Sequence, residues 1–434
     1  MRYATLAVSL FCLAFLSSAS DWPQWRGANH DSTSDERIAA QWPSGGPNQV
    51  WKIPVGEGLG TPVVVAGKVY ITAQTEAAKG KAPPKGAAKD GVESLICFDA
   101  NSGQKIWAQP IGPTIVFEIQ GNDGPRSTPA VSDGLIYAMG TYLNLVCFDA
   151  KDGKPVWSHD GAKEFNAGNQ LATMGIKAWG CANSPVVDGN LVFVHCGGAG
   201  QAFMAFDKKT GKVAWKGEDD LLTHTTPTIT TILGQRQVIF FTQSGLASLA
   251  PDTGKVLWRH KFPHRVSTAI SPVVCGDVVF CAAGYNQGSG ACKITKEGDG
   301  FKATELWYLQ GSKKPEDASC HWTTPVFRDG FLYGMFGFAQ PKDCPAKCVD
   351  VMTGKVQWTK EAFGQGGVIF VDGKVLYLTA DGQLVLVEPN PKEYKELARA
   401  QVLKYKCWNQ PVISGGHLYA RSNSELVCLD VSAK

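Results

Sequence analysis

Long hydrophobic runs are missing from this chain. Past residue 20 no stretch reaches eighteen unbroken apolar residues, which excludes a membrane-spanning helix read from sequence. Clusters of Lys and Arg interleaved with aromatics are missing too, and the formal net charge is only +3 over 434 residues, so nothing tracks a phosphate backbone and nucleic acid is not an expected partner. There is no adjacent Cys-Cys pair and no Cys-x-x-Cys-His, which excludes a covalently attached haem. A calcium loop, a His-Glu-x-x-His zinc motif, a nucleophile elbow and a phosphate loop are equally absent, so no catalytic residue and no metal ligand is assigned from motif.

What the N-terminus does have is an export signal. Arg2 precedes an apolar run from Ala4 to Leu16 and then the small residues Ser17, Ser18, Ala19 and Ser20, the pattern of a secretory signal peptide over residues 1–20. Cys12 lies within the apolar run, away from any lipoprotein-type cleavage context. The expectation is an exported protein, periplasmic or secreted, without an integral membrane segment, and a monomer. Removing Cys12 leaves an even twelve cysteines, which in a small exported domain would suggest a disulfide framework. Here Cys97, Cys147, Cys348 and Cys428 recur at one position of a repeated strand, so they read as small buried hydrophobes. Cys344 and Cys348, with three residues between them, leave a local disulfide open.

The chain, 44% hydrophobic, is long enough for two or three domains, but it repeats. One unit recurs as FDANSGQKIW ending at Trp107, FDAKDGKPVW at Trp157, FDKKTGKVAW at Trp215, LAPDTGKVLW at Trp258 and VDVMTGKVQW at Trp358. Neighbouring intact copies are spaced 43 to 58 residues apart, which is a propeller period. Each unit opens on Ser/Thr-Pro and alternating apolar residues, as at Thr61-Pro62, Thr128-Pro129, Ser184-Pro185, Thr226-Pro227, Ser271-Pro272 and Thr324-Pro325. Asp99, Asp149, Asp207 and Asp350 can hold the turn backbone, and Gly103, Gly153, Gly211, Gly254 and Gly354 supply its positive φ. The Trp at a fixed offset is predicted to lie across the neighbouring blade.

Two copies are worn: the fifth ends at Trp307 after a longer turn, and the seventh runs to Leu403 without a Trp. The eighth is split, with residues 409–434 supplying three strands and QVWKIPVG around Trp51 supplying the fourth. Pairing the termini in this way closes the ring and leaves no free sheet edge. The reading is therefore all-β: an eight-bladed propeller of four-stranded antiparallel blades over residues 49–434. An arm, residues 21–48, is expected to pack on it through Trp22, Trp25 and Trp42. The tract from Glu76 to Glu93 reads as a loop within the first blade. The structural docking set is Trp51, Trp107, Trp157, Trp215, Trp258, Trp307 and Trp358.

The motif Asp-x-x-Thr-Gly-x-x-x-Trp resembles the tryptophan-docking motif of PQQ (pyrroloquinoline quinone) alcohol dehydrogenases and of BamB-like assembly lipoproteins. The opening Asp21-Trp22-Pro23-Gln24-Trp25-Arg26-Gly27 is similar to that of exported PQQ-like propellers of planctomycetes and related bacteria. The resemblance spans essentially the whole mature chain and implies the fold; a scaffold does not dictate chemistry. A dehydrogenase of this class implies a vicinal Cys pair, a catalytic Asp, and Glu, Asn and Asp ligands for Ca²⁺. Since the Cys pair is absent and the other residues are not found, no cofactor is expected, PQQ with Ca²⁺ remaining the alternative.

Segments just before each inner strand converge on one mouth of the central channel. They bring Arg126, Trp179, Asn183, His224, His321, Trp322, Trp408 and Asn409 to a candidate ligand funnel, able to hold an anionic planar or a sugar-like ligand. The same residues would equally serve to plug the channel. Cys181, Cys320 and Cys407, with His224 and His321, are the one Cys/His set near that mouth, and they read as structural thiols rather than metal ligands. Three functions stay open: a non-catalytic BamB-like scaffold binding an envelope protein or polymer, a divergent PQQ oxidoreductase, and a carbohydrate-binding accessory.

Overall fold

In the computed structural model the described residues are 21–76, 91–114, 123–312, 316–337, 344–404 and 406–433. Residues 1–20, where an export signal is expected, and most of the Glu76–Glu93 tract lie outside them. The chain forms eight sheets of consecutive antiparallel strands: blade 1 (63–113), blade 2 (130–160), blade 3 (186–217), blade 4 (228–261), blade 5 (273–309), blade 6 (326–360), blade 7 (367–401) and blade 8 (412–430 with Asn48–Pro54). Blade 8 is the join read from the sequence. Its fourth strand, Asn48–Pro54, pairs antiparallel with Glu425–Asp430, Trp51 opposite Cys428. No helix among the described residues is long and apolar enough to cross a membrane.

Cross-strand register explains the recurring cysteines. Cys97 sits between Tyr70 on the second strand and Trp107 on the fourth. Cys147 sits likewise between Tyr137 and Trp157, Cys348 between Tyr333 and Trp358, and Cys428 between Tyr419 and Trp51. The two rings close over the small residue with centroids 5.8–6.1 Å apart, so a larger side chain at that position would displace both. Ala205 and Ala291 fill the same place beneath Phe193–Trp215 and Phe280–Trp307. The twelve cysteines among the described residues are all buried, with no disulfide between them.

Five of the seven docking tryptophans donate their indole N–H to a carbonyl of the next blade's turn: Trp51 to Ala100, Trp157 to Lys208, Trp215 to Pro251, Trp307 to Val351 and Trp358 to Asn390. Trp107 lies on Gly153 without such a bond. Trp258, buried in a core shared with blade 5, takes a different hydrogen-bond partner. Its N–H goes to Gln237 Oε1 of its own blade at 2.7 Å. The cause is blade 5, whose last two strands extend to ten residues each and carry the turn at Gly298 beyond reach. In blade 7 the register that elsewhere reads Tyr, Cys, Trp reads Leu376, Leu386, Ala398, so bulk moves from the fourth strand to the third. No docking turn exists in the split eighth blade for a Trp to meet.

These contacts give a paired expectation. A Cβ at Gly211 would sit 2.6 Å from Trp157, whereas one at Gly298 meets nothing, although both have positive φ. Gly211→Ala should destabilise by about 2–4 kcal/mol, combining backbone strain with overpacking, and Gly298→Ala by about 1 kcal/mol. Denaturant midpoints of the two variants measure the difference.

The repeated Ser/Thr-Pro has a second use. Four of the six pass their backbone N–H to the hydroxyl of the next blade, Thr61 to Thr128, Thr128 to Ser184, Ser184 to Thr226 and Ser271 to Thr324, and between blades 4 and 5 Ser271 Oγ donates to the Thr226 carbonyl. Gln410 of blade 8 returns the chain to Thr61 Oγ1. This hoop satisfies backbone groups that face the channel, where few other partners are available.

The arm crosses the far end of the channel. Trp22 bridges Val64 of blade 1, Pro23 accepts from Val131 of blade 2, and Gln24 makes two bonds with Val187 of blade 3. Arg26 donates to Pro272 of blade 5, Thr33–Ser34 runs parallel to Gly367–Val371 of blade 7, and Glu36 accepts from Gly415 and Gly416 of blade 8. Apart from the one to Pro272, which immediately precedes its inner strand, these contacts fall past the Ser/Thr-Pro hoop, on or just after the inner strands.

Candidate functional site

The channel mouth holds a cavity of about 280 Å³. Of the eight predicted funnel residues, Arg126, Trp179, His224, His321, Trp322, Trp408 and Asn409 line it. Asn183 does not: it is fully buried, and its Nδ2 donates to His195 O at 2.8 Å, while its neighbours Ala182 and Ser184 face the space. Thr128, Ser184 and Thr226 of the hoop form part of the wall.

Two lining aromatics were not in the predicted set. Tyr285 comes from the loop between the second and third strands of blade 5, outside the segments that precede inner strands. Trp25 comes from the arm, enters from the closed end and is fixed by its indole N–H to Ser271 Oγ at 2.9 Å. It forms the floor. The arm's three tryptophans were visible in the sequence, but no repeat position says which points inward.

Aromatic rings follow one another around the wall. His224 meets Trp179 at 6.1 Å, Trp179 meets Tyr285 at 6.3 Å, and Tyr285 meets His321 at 5.0 Å. His321 then meets Trp322 at 4.7 Å, and Trp322 meets Trp408 at 4.8 Å. Burial pushes both imidazoles down, His224 to about 3 with help from the Arg126 charge and His321 to about 4, so both are neutral at pH 7. His224 Nδ1 lies 3.0 Å from Ser267 Oγ.

The rim cations are already engaged. Arg126 Nη2 lies 3.1 Å from Asp123 Oδ2, and Lys406 Nζ lies 2.6 Å from Asp123 Oδ1 and 4.2 Å from the Trp408 ring centre. Behind them Glu93 is buried and bonded to Thr141. Desolvation lifts its carboxyl to about 7.

By contrast, several buried polar atoms at the cavity have no partner among the described residues: both amide atoms of Asn409, His321 Nδ1 and Trp322 Nε1. Leaving such a group unpaired costs about 1–3 kcal/mol. The donor set does not suit the calcium of a quinoprotein. Ca²⁺ takes six to eight oxygens, carboxylates prominent among them, and among the described lining residues there is the Asn409 amide but no carboxylate. Cys181, Cys320 and Cys407 are buried and do not line the cavity, and among the described residues no three His, Cys, Asp or Glu side chains gather as a metal site.

A ring of eight four-stranded blades, seven of them carrying a docking Trp, around an axial cavity defines the PQQ-like propeller class. Within it, the chain belongs to the family described as outer membrane protein assembly factor BamB, whose model matches residues 91–318, just over half of the chain. Among solved structures it is similar to BamB from Moraxella catarrhalis, with 14% identity and a TM-score of 0.56 over 88% of this chain and 96% of that one. It is also similar to the quinohemoprotein alcohol dehydrogenase ADHIIG from Pseudomonas putida HK5, with 13% identity and a TM-score of 0.60 over 96% and 81%. The computationally designed Ika8 protein aligns at 11% identity and a TM-score of 0.53 over 91% and 100%. At such identities the likeness is one of fold. No curated protein matches the chain.

Proposed function

We propose that this chain is a non-catalytic binding propeller of the cell envelope whose working site is the axial cavity, where it holds a small ring-shaped group, free or carried by a larger polymer. The observation that carries this reading is the convergence of Trp25, Trp179, Tyr285, Trp322 and Trp408 with the unpartnered Asn409 and His321 on one space. Aromatic walls with a few placed polar groups are the usual make-up of a small-ligand site. Membership of the BamB family supports an envelope setting and a binding role.

Oxidoreductase chemistry is the weaker reading because the calcium donors do not fit. Titration with PQQ and Ca²⁺ should therefore give no saturable change in quinone absorbance. A saturable, Ca²⁺-dependent change would overturn the binding-protein reading. Tryptophan fluorescence, with four indoles on the wall, reports ligand entry directly, and Trp25→Ala, which removes the floor, should weaken any ligand so detected by about 30-fold.

A further inference from the structure

Building on the ligand-binding reading, we propose that the cavity takes the neutral terminal sugar ring of a glycan, inserted end-on. Three observations select this ligand. The first is hydrogen bonding. Asn409, 3% exposed, presents both an unpartnered donor and an unpartnered acceptor, His321 Nδ1 adds either role, and Trp322 Nε1 adds a donor. Hydroxyl groups donate and accept at once, so a ring bearing several of them can meet this mixed set. Such a ring also offers C–H faces to the indole wall, where Trp322 and Trp408 pack on each other at 4.8 Å.

The second is charge. Arg126 is the one Lys, Arg, Asp or Glu among the described lining residues, and it shares Asp123 with Lys406. A polycarboxylate would have to compete with Asp123 for both cations, whereas a neutral ring asks for no counter-charge.

The third is topology. The far end of the channel is crossed by the arm, bonded to blades 1, 2, 3, 5, 7 and 8, with Trp25 as floor. A polymer cannot thread through. Only a chain end can reach Asn409, so recognition is of termini and not of internal units.

The test uses the mature protein on an array of linear neutral oligosaccharides, the corresponding cyclic oligosaccharides and acidic oligosaccharides, with PQQ and nucleosides titrated in solution. The expected result is binding of linear neutral chains and none of their cyclic counterparts. Asn409→Ala should weaken that binding at least tenfold with an unchanged circular dichroism spectrum, and Trp322→Phe, which removes one N–H while keeping an aromatic ring, should weaken it severalfold. Equal binding of cyclic and linear chains, or wild-type affinity in both variants, overturns the inference. Binding of acidic or planar ligands alone overturns it while leaving the small-ligand reading intact. Silence from every probe defeats both.

Discussion

Acidification from pH 6.5 to pH 4 is expected to remove much of the propeller's stability. His30, His195, His224 and His321 are buried as neutral rings, their pKa values depressed by desolvation from 6.5 to about 3, 4, 3 and 4. The unfolded chain therefore binds more protons than the native one across this window. Stability is fully present above pH 6.5 and declines as pH falls through the folded values. At 1.36 kcal/mol per unit, each ring accounts for at most roughly 3–5 kcal/mol, and a typical total stability is only about 5–15 kcal/mol.

Glu93 works with the opposite sign. Its folded value, about 7, lies above the ordinary 4.5, so the native state holds the extra proton between those limits. Stability from this group rises as pH falls from 7 to 4.5, by up to roughly 3 kcal/mol, and is constant below. One carboxyl cannot offset four imidazoles. Urea midpoints at pH 7.5, 5.5 and 4 should therefore fall. Glu93→Gln should steepen the fall above pH 4.5, and His195→Gln, which keeps a donor towards Asp220 O, should make it shallower. A midpoint independent of pH would refute the assignment of neutral buried rings.

Arg421→Ala is expected to cost about 3–5 kcal/mol. Arg421 is fully buried at the junction of blades 8 and 1, on the second strand of the blade in which the two ends of the chain pair. Its guanidinium donates to the carbonyls of Ser422 at 3.0 Å, Thr72 at 2.9 Å, Gly56 at 3.2 Å and Gly60 at 3.5 Å. Burial lowers its pKa to about 10, which still leaves it charged at pH 7. Truncation strands those carbonyls and leaves a void. Arg421→Lys, with a charge but no fork, should lose about half as much. Chemical denaturation of the three proteins gives the order, and equal midpoints for wild type and Arg421→Ala would sink the argument.

Much of the fold was legible in the sequence because each blade is held by local rules. A turn needs Asp and Gly at set offsets, the strand pleat alternates side chains, and the Trp reaches only as far as the adjacent turn. The pairing of Trp51 with Cys428 was legible for the same reason, since three strands ending at Asp430 lack the fourth that every other blade has. The partner of the Trp258 N–H was not legible, because it depends on the length of a hairpin in the next blade, a property of tertiary contact.

The funnel followed the same division. Residues preceding inner strands were found because propeller topology brings those segments to one mouth, and seven of the eight named do line the cavity. Asn183 turned away because its amide finds the His195 carbonyl in its own blade. By itself the sequence determined the blade count, the ring closure and the mouth, all consequences of a repeated unit that must bury both faces against copies of itself. The tertiary structure alone decided that the far end of the channel is crossed by the arm and that Trp25 and Tyr285 complete the wall. Those outcomes depend on non-repeating segments whose positions are set by hydrogen bonds to distant blades, and no local periodicity records such bonds.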